Sequence, residues 1–204
     1  MKKTIIIAAI FAVASAQASL FDMKFVGTGA GQGVGIVFNG SSKNVFAGKL
    51  NFKKMPSGPS FSSVCADLGN LISNGQVYGV NSKMSTADSA AVKKAGNIVA
   101  ANFTSANSNE NAAALQVAVW EALYDGASAP SFSTGSFKAN LSTSVKAKAT
   151  AYYNSITTPG TALYLKTTQN NCGQSQLTAV PEPAALASLG LGLALVVRRR
   201  TRKS

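Results

Sequence analysis

The chain has 204 residues, a formal net charge of +12, two cysteines and no histidine. Without histidine there is no Ser–His or Cys–His nucleophile pair and no ordinary zinc site. The seven acidic residues are too dispersed to form a glycosidase pair, so no enzyme activity, metal or cofactor is expected.

Met1-Lys2-Lys3, the apolar stretch Ile5 to Val13 and the small-residue site Ala16-Gln17-Ala18 have the layout of a secretory signal peptide. Residues 1–18 are expected to be removed after Ala18, a retained N-terminal anchor being the alternative. Residues 19–179 then form one extracytoplasmic domain of ordinary size. Within it 12 lysines and no arginine stand against six acids, a net of +6. The lysines are scattered, so no nucleic-acid partner is expected. A solvated surface explains them, with loose attraction to acidic polysaccharide open.

Residues 26–80 read as strands. Gly35 to Gly40 and Asn44 to Phe52 flank Ser41-Ser42-Lys43 in a hairpin-like pattern, with Phe46, Gly48, Leu50 and Phe52 on the inward face. The alternating Gly27, Gly29, Gly31, Gly33 and Gly35 lack the register of a phosphate cradle and read as a flexible or closely packed strand entry. Phe61 to Leu68 is a further strand and carries Cys65.

Helical periodicity follows. Thr86 to Phe103 is a helix capped by Ser85 or Thr86, with Ala91, Val92, Ala95, Ile98 and Val99 as its apolar stripe. Asn109 to Tyr124 is a second, capped by Ser108 and stopped by Asp125-Gly126. Leu141 to Ile156 is a third, capped by Ser142. Thr161 to Thr167 returns as a strand, and Gly173 to Ala179 reads as strand end or linker. Strands, then helices, then a strand predict an α+β domain.

On the second helix, Ala112, Gln116, Val119, Trp120 and Leu123 share one face, and Gln116 is its only polar member. An unpartnered buried amide costs about 1–3 kcal/mol, so a partner is required. A neighbouring backbone is the ordinary solution. A second solution is chemical: the Cys65 thiolate attacks the Gln116 carbonyl and expels ammonia, leaving a thioester that a later amine or hydroxyl can open. A third pairs Cys65 with Cys172 in a disulfide, worth typically about 2–4 kcal/mol in an oxidising compartment. The last two bonds exclude each other. Asp67 and Glu121 flank the pair and read as surface or capping groups, able otherwise to orient an amine. Trp120 on its stripe is an ordinary core position.

Val64-Cys65-Ala66-Asp67-Leu68 and Leu115-Gln116-Val117-Ala118-Val119-Trp120-Glu121 resemble the Cys and Gln motifs of bacterial surface thioester domains. The match runs in element order from about Val34 to Tyr164 and is clearest at Gln116-x-Ala118-x-Trp120. It departs at Val64, where an aromatic is common. The resemblance implies an adhesion module in which Cys65 carries the acyl group, Gln116 donates it and Trp120 shields the bond from water. Its partner would be an amine- or hydroxyl-bearing surface or exopolysaccharide.

The chain ends, in residues 180–204, with Pro181-Glu182-Pro183, an uncharged apolar run to Val197, and a basic stop of Arg198, Arg199, Arg200, Arg202 and Lys203. Pro183 to Val197 would span about 22 Å as a helix, short for a hydrocarbon core of roughly 30 Å. A marginal transmembrane helix of this kind suits temporary retention, with the basic end cytoplasmic and the bulk outside. These three parts in order resemble the PEP-CTERM sorting signal of Gram-negative bacteria. That resemblance implies processing by an exosortase at the inner membrane and delivery to the cell surface or biofilm matrix. The alternative function for the delivered domain is a structural matrix protein held by the Cys65–Cys172 disulfide.

Overall fold

The first strand, β1 (Ser19–Phe38), is 20 residues long and serves as the spine of the sheet in this computed structural model. The structure describes residues 19–126, 129–155, 162–168 and 173–180. The expected signal peptide with Ala18, Cys172, and the tail from Pro181 with its expected transmembrane segment and basic stop lie outside the described residues. Among the described residues no helix is long and apolar enough to cross a membrane.

Six more strands follow: β2 (Ser41–Lys54), β3 (Ser60–Cys65), β4 (Val77–Met84), β5 (Phe137–Asn140), β6 (Ala162–Thr167) and β7 (Gln176–Ala179). All pairings are antiparallel. Because β1 pairs with both β2 and β4, the ladder runs β1-β2-β3-β7-β6-β4 and back to β1. The ring is therefore closed, which leaves its six members no free edge. β5 adds only to the far end of β1, at Gly35 to Phe38.

The alternating glycines lie inside β1, not before it. Where Gly31 faces Gly48, both have positive φ, 159° and 155°. A Cβ on Gly48 would stand 2.4 Å from the Ala30 carbonyl oxygen, and one on Gly31 would stand 2.5 Å from that of Ala47. Two bulges interrupt the β1–β2 register on either side of Gly27. Across this irregular stretch the buried set on β1 passes from odd-numbered to even-numbered positions. Met23 and Phe25 are buried before the bulges, and Val34 and Ile36 after them. On β2 the expected inward face holds at Leu50 and Phe52 but passes to Ala47 toward the hairpin end, leaving Phe46 half-buried.

The hairpin turn is Asn39-Gly40, with φ 49° and 79°, the two-residue geometry that Asn-Gly favours. Ser41, Ser42 and Lys43, expected as the turn, already pair with Phe38, Val37 and Ile36.

Helix α1 is Ala90–Asn102 and starts later than expected. Residues Ser85–Ala87 form a 3-10 turn, and Ser89 Oγ accepts the Val92 N–H as the cap. Helix α2 spans Asn109–Tyr124 as expected, with Ser108 capping one end and Gly126 donating to the Glu121 carbonyl at the other. Helix α3 is Thr143–Asn154, capped by Ser142. Strand-rich start, helical middle and returning strands make an α+β fold.

α2 is the centre of the molecule. It packs on β1, β2 and β5 and carries α1 and α3 on its other sides. Every residue from Ala112 to Ala122 is buried, so the helix has no solvent face in its middle. Five alanines in that stretch keep it thin enough for neighbours on all sides.

Candidate functional site

Strand β3 loses its neighbour at Cys65. The last β2–β3 pair is Lys49 with Val64, and beyond it Gly48 belongs to the close approach with Gly31. On the opposite side β7 continues, with Cys65 beside Gln176 and the Ala66 N–H donating to the Ser175 carbonyl. The Cys65 N–H and C=O are thus left facing where β2 departs. Unpaired, each would carry the penalty of a buried backbone group.

Gln116 fills that gap from α2. The Cys65 N–H donates to Gln116 Oε1 at 2.8 Å, and Gln116 Nε2 donates to the Cys65 carbonyl at 2.8 Å. The carboxamide pairs with one residue as a strand residue would, and Gln116 is fully buried. The two residues singled out in the sequence, 51 positions apart, therefore meet.

The sulfur points into a second set of contacts. Cys65 Sγ donates to the Asp67 carbonyl at 3.0 Å and accepts the Asp67 N–H at 3.3 Å. Burial pushes the thiol up to about 12, the Asp67 main-chain bond opposing this in part. Cys65 is a free thiol in this fold, and Cys172, its alternative partner, lies outside the described residues. The Asp67 carboxylate is a loop cap: it accepts from the Gly69 N–H at 2.8 Å, the Asn70 N–H at 3.2 Å and Asn70 Nδ2 at 2.7 Å.

Trp120 lies one helical turn beyond Gln116 and is 1% exposed. Its indole N–H has no hydrogen-bond partner, yet it lies near enough to the Cys65 sulfur to favour the thiolate. One turn further, Tyr124 takes the Leu68 N–H on its hydroxyl at 2.7 Å, with its own ionisation suppressed by burial. Gln116, Trp120 and Tyr124 form an i, i+4, i+8 row. That spacing is the signal by which Tyr124 could have been found.

Glu121 is not a surface group. It is 1% exposed, and its Oε1 caps the following loop by accepting the Ser131 N–H at 2.8 Å. Its Oε2 has no partner, and burial raises its pKa. The same end of α2 holds Asp125, which accepts the Ser136 and Phe137 N–H groups, and Lys94, which donates to the Tyr153 hydroxyl at 2.6 Å. Among the described residues no cluster of ligands suits a metal ion.

A cavity of about 320 Å³ opens onto Cys65 and Trp120, walled by Phe25, Leu50, Leu68 and Ile72. A larger, shallower groove of about 460 Å³ runs along Gly35 to Val37 and Lys138 to Asn140. It does not reach Cys65, whereas the smaller one does.

The chemical content of this site is the Cys65 sulfur, the Gln116 side-chain amide held against the same cysteine's main chain, and one N–H donor on the amide oxygen. The Cys65 N–H on Oε1 polarises the carbonyl in the direction that nucleophilic attack requires.

Residues 179–203 match the PEP-CTERM protein-sorting motif. The chain carries an exosortase sorting signal. Such signals are processed at the membrane, and they mark their cargo for export toward the cell surface. No curated protein and no solved structure matches the chain.

Proposed function

We propose that the exported domain is a non-enzymatic adhesion or matrix-attachment module that stores an acyl electrophile as a Cys65–Gln116 thioester. The observation that carries this reading is the pair of 2.8 Å bonds that hold the Gln116 carboxamide on Cys65. In forming the bond, Sγ attacks the Gln116 carbonyl carbon, the C–N bond breaks, and the thiol proton leaves with the amide nitrogen as ammonia. The Cys65 N–H remains on the acyl oxygen. The module then reacts once with an amine or hydroxyl on a surface or exopolysaccharide partner, giving an amide or ester and restoring the thiol.

A second reading is favoured by one observation: with the thiol protonated and both carboxamide atoms satisfied, the clasp is complete without chemistry. The domain would then be a structural matrix protein whose β3 and α2 are locked together non-covalently. Intact mass of the exported protein separates the two. The thioester form is lighter by one ammonia, and the loss disappears in Cys65→Ala and in Gln116→Ala. Full mass with an alkylatable Cys65 after unfolding supports the structural reading.

A further inference from the structure

We propose that the cavity over Cys65 is the acceptor pocket of this thioester, selecting a nucleophile on an apolar chain and rejecting one with a second positive charge. The proposal rests on the thioester reading and adds the substrate class.

Three observations carry it. First, Cys65 is 4% exposed, and the 320 Å³ cavity gives its sulfur an approach from outside. Second, the Trp120 N–H is a buried donor without an acceptor beside the same sulfur. An acyl oxygen on Sγ supplies that acceptor, and the negative charge that develops there during attack strengthens the bond. Third, the wall is largely apolar, with Thr28, Asn44, Asn70 and Gln174 as its neutral polar members, and Leu71, which also lines it, is 82% exposed. An exposed leucine lining a largely apolar cavity finds cover when an apolar chain enters.

The charge selection comes from Lys43. Among the described residues it is the only charged one lining the cavity. An ammonium entering this space meets one like charge on the wall, while the nearby Asp67 carboxylate is taken up by the Gly69 and Asn70 N–H groups. The same cation favours the uncharged form of an incoming amine, which is the form that attacks. A distal carboxylate on the chain pairs with Lys43, whereas a distal ammonium is repelled.

In the step itself the amine nitrogen bonds to the former Gln116 carbonyl carbon, the C–S bond breaks, and the amine proton passes to sulfur. No other reactant is consumed.

The test uses the exported full-length protein, with incorporation followed by mass for methylamine, butylamine, 4-aminobutyrate and 1,4-diaminobutane at equal concentrations of attacking free amine. Butylamine is expected to react at least about tenfold faster than methylamine, from burial of its additional methylenes. Diaminobutane is expected to be the slowest of the three four-carbon amines and aminobutyrate the fastest. In Lys43→Glu, an exposed hairpin change, those two exchange places. Trp120→Phe, which keeps the ring and removes the N–H, slows every amine by about tenfold or more and leaves the chain-length order intact. Rates that ignore chain length and Lys43, in protein that is one ammonia light, overturn the pocket alone. Protein of full mass that takes up no amine overturns the thioester beneath it.

Discussion

Helix α2 buries two polar side chains, Gln116 and Glu121, and treats them differently. Gln116 has both carboxamide atoms bonded to one residue, while Glu121 has one oxygen on Ser131 and the other without a partner. The first is neutral and fixed in register against a strand. The second is a carboxylate whose ionised form burial penalises. A fully paired buried amide specifies a unique geometry, and a half-paired buried acid leaves energy unspent. The proposed acyl transfer needs its carbon held in place, which Gln116 satisfies and Glu121, with one oxygen unpartnered, does not.

The comparison breaks most visibly if Gln116 is removed. Compared with protein that keeps the intact carboxamide, Gln116→Ala leaves the Cys65 N–H and C=O both buried and unpaired, at about 1–3 kcal/mol each. A loss of about 3–5 kcal/mol in urea unfolding is expected; a loss below about 1 kcal/mol would mean the clasp does not organise the fold. The glycine crossing comes next. Gly48→Ala drives a Cβ into the Ala30 carbonyl and Gly31 backbone, and a loss of about 2–3 kcal/mol is expected by the same measurement.

The pH dependence sharpens the comparison on the alkaline side. Burial raises Cys65 from 9.0 to about 12 and raises Tyr78 and Tyr124 above 10.0. The unfolded chain ionises first, so the stability these groups contribute is whole below pH 9 and falls as pH climbs toward 12. Melting temperature against pH reads this directly. A thioester removes the Cys65 share of that fall and leaves only the tyrosines. Smaller still, Ser108→Ala removes the α2 cap at about 1 kcal/mol. Smallest is Glu121→Gln, which keeps an acceptor for Ser131 and removes the buried charge. Its change is expected to lie within about 1 kcal/mol at neutral pH and toward greater stability. A large loss there would make Glu121 as organising as Gln116.

Much of this was legible where the signal is local. Ser108 and Asp125-Gly126 bracket α2 because a cap and a left-handed glycine act within a single turn. Gln116 stood out because one amide interrupts an apolar face. Asn39-Gly40 is an equally local signal, but it follows directly on the apolar run Ile36-Val37-Phe38, so the polar Ser41-Ser42-Lys43 mimics the turn two residues later. Ring closure was not legible, since β4 with β1 and β3 with β7 join segments far apart and no short-range pattern encodes such pairs. The change of buried face along β1 falls in the stretch whose register with β2 is irregular, and that register joins two strands rather than neighbouring residues. In the sequence Glu121 looks like a surface or capping group because a carboxylate beside an apolar stripe ordinarily meets solvent, while in the fold α2 is covered by α1 and α3. The tail was legible as a signal because its three parts are contiguous.

The most direct measurement is a crystal structure of the protein recovered after export. The account predicts continuous density from Cys65 Sγ to the side-chain carbon of Gln116, with its oxygen still on the Cys65 N–H. Two separate side chains, with an intact carboxamide nitrogen on the Cys65 carbonyl, would contradict it.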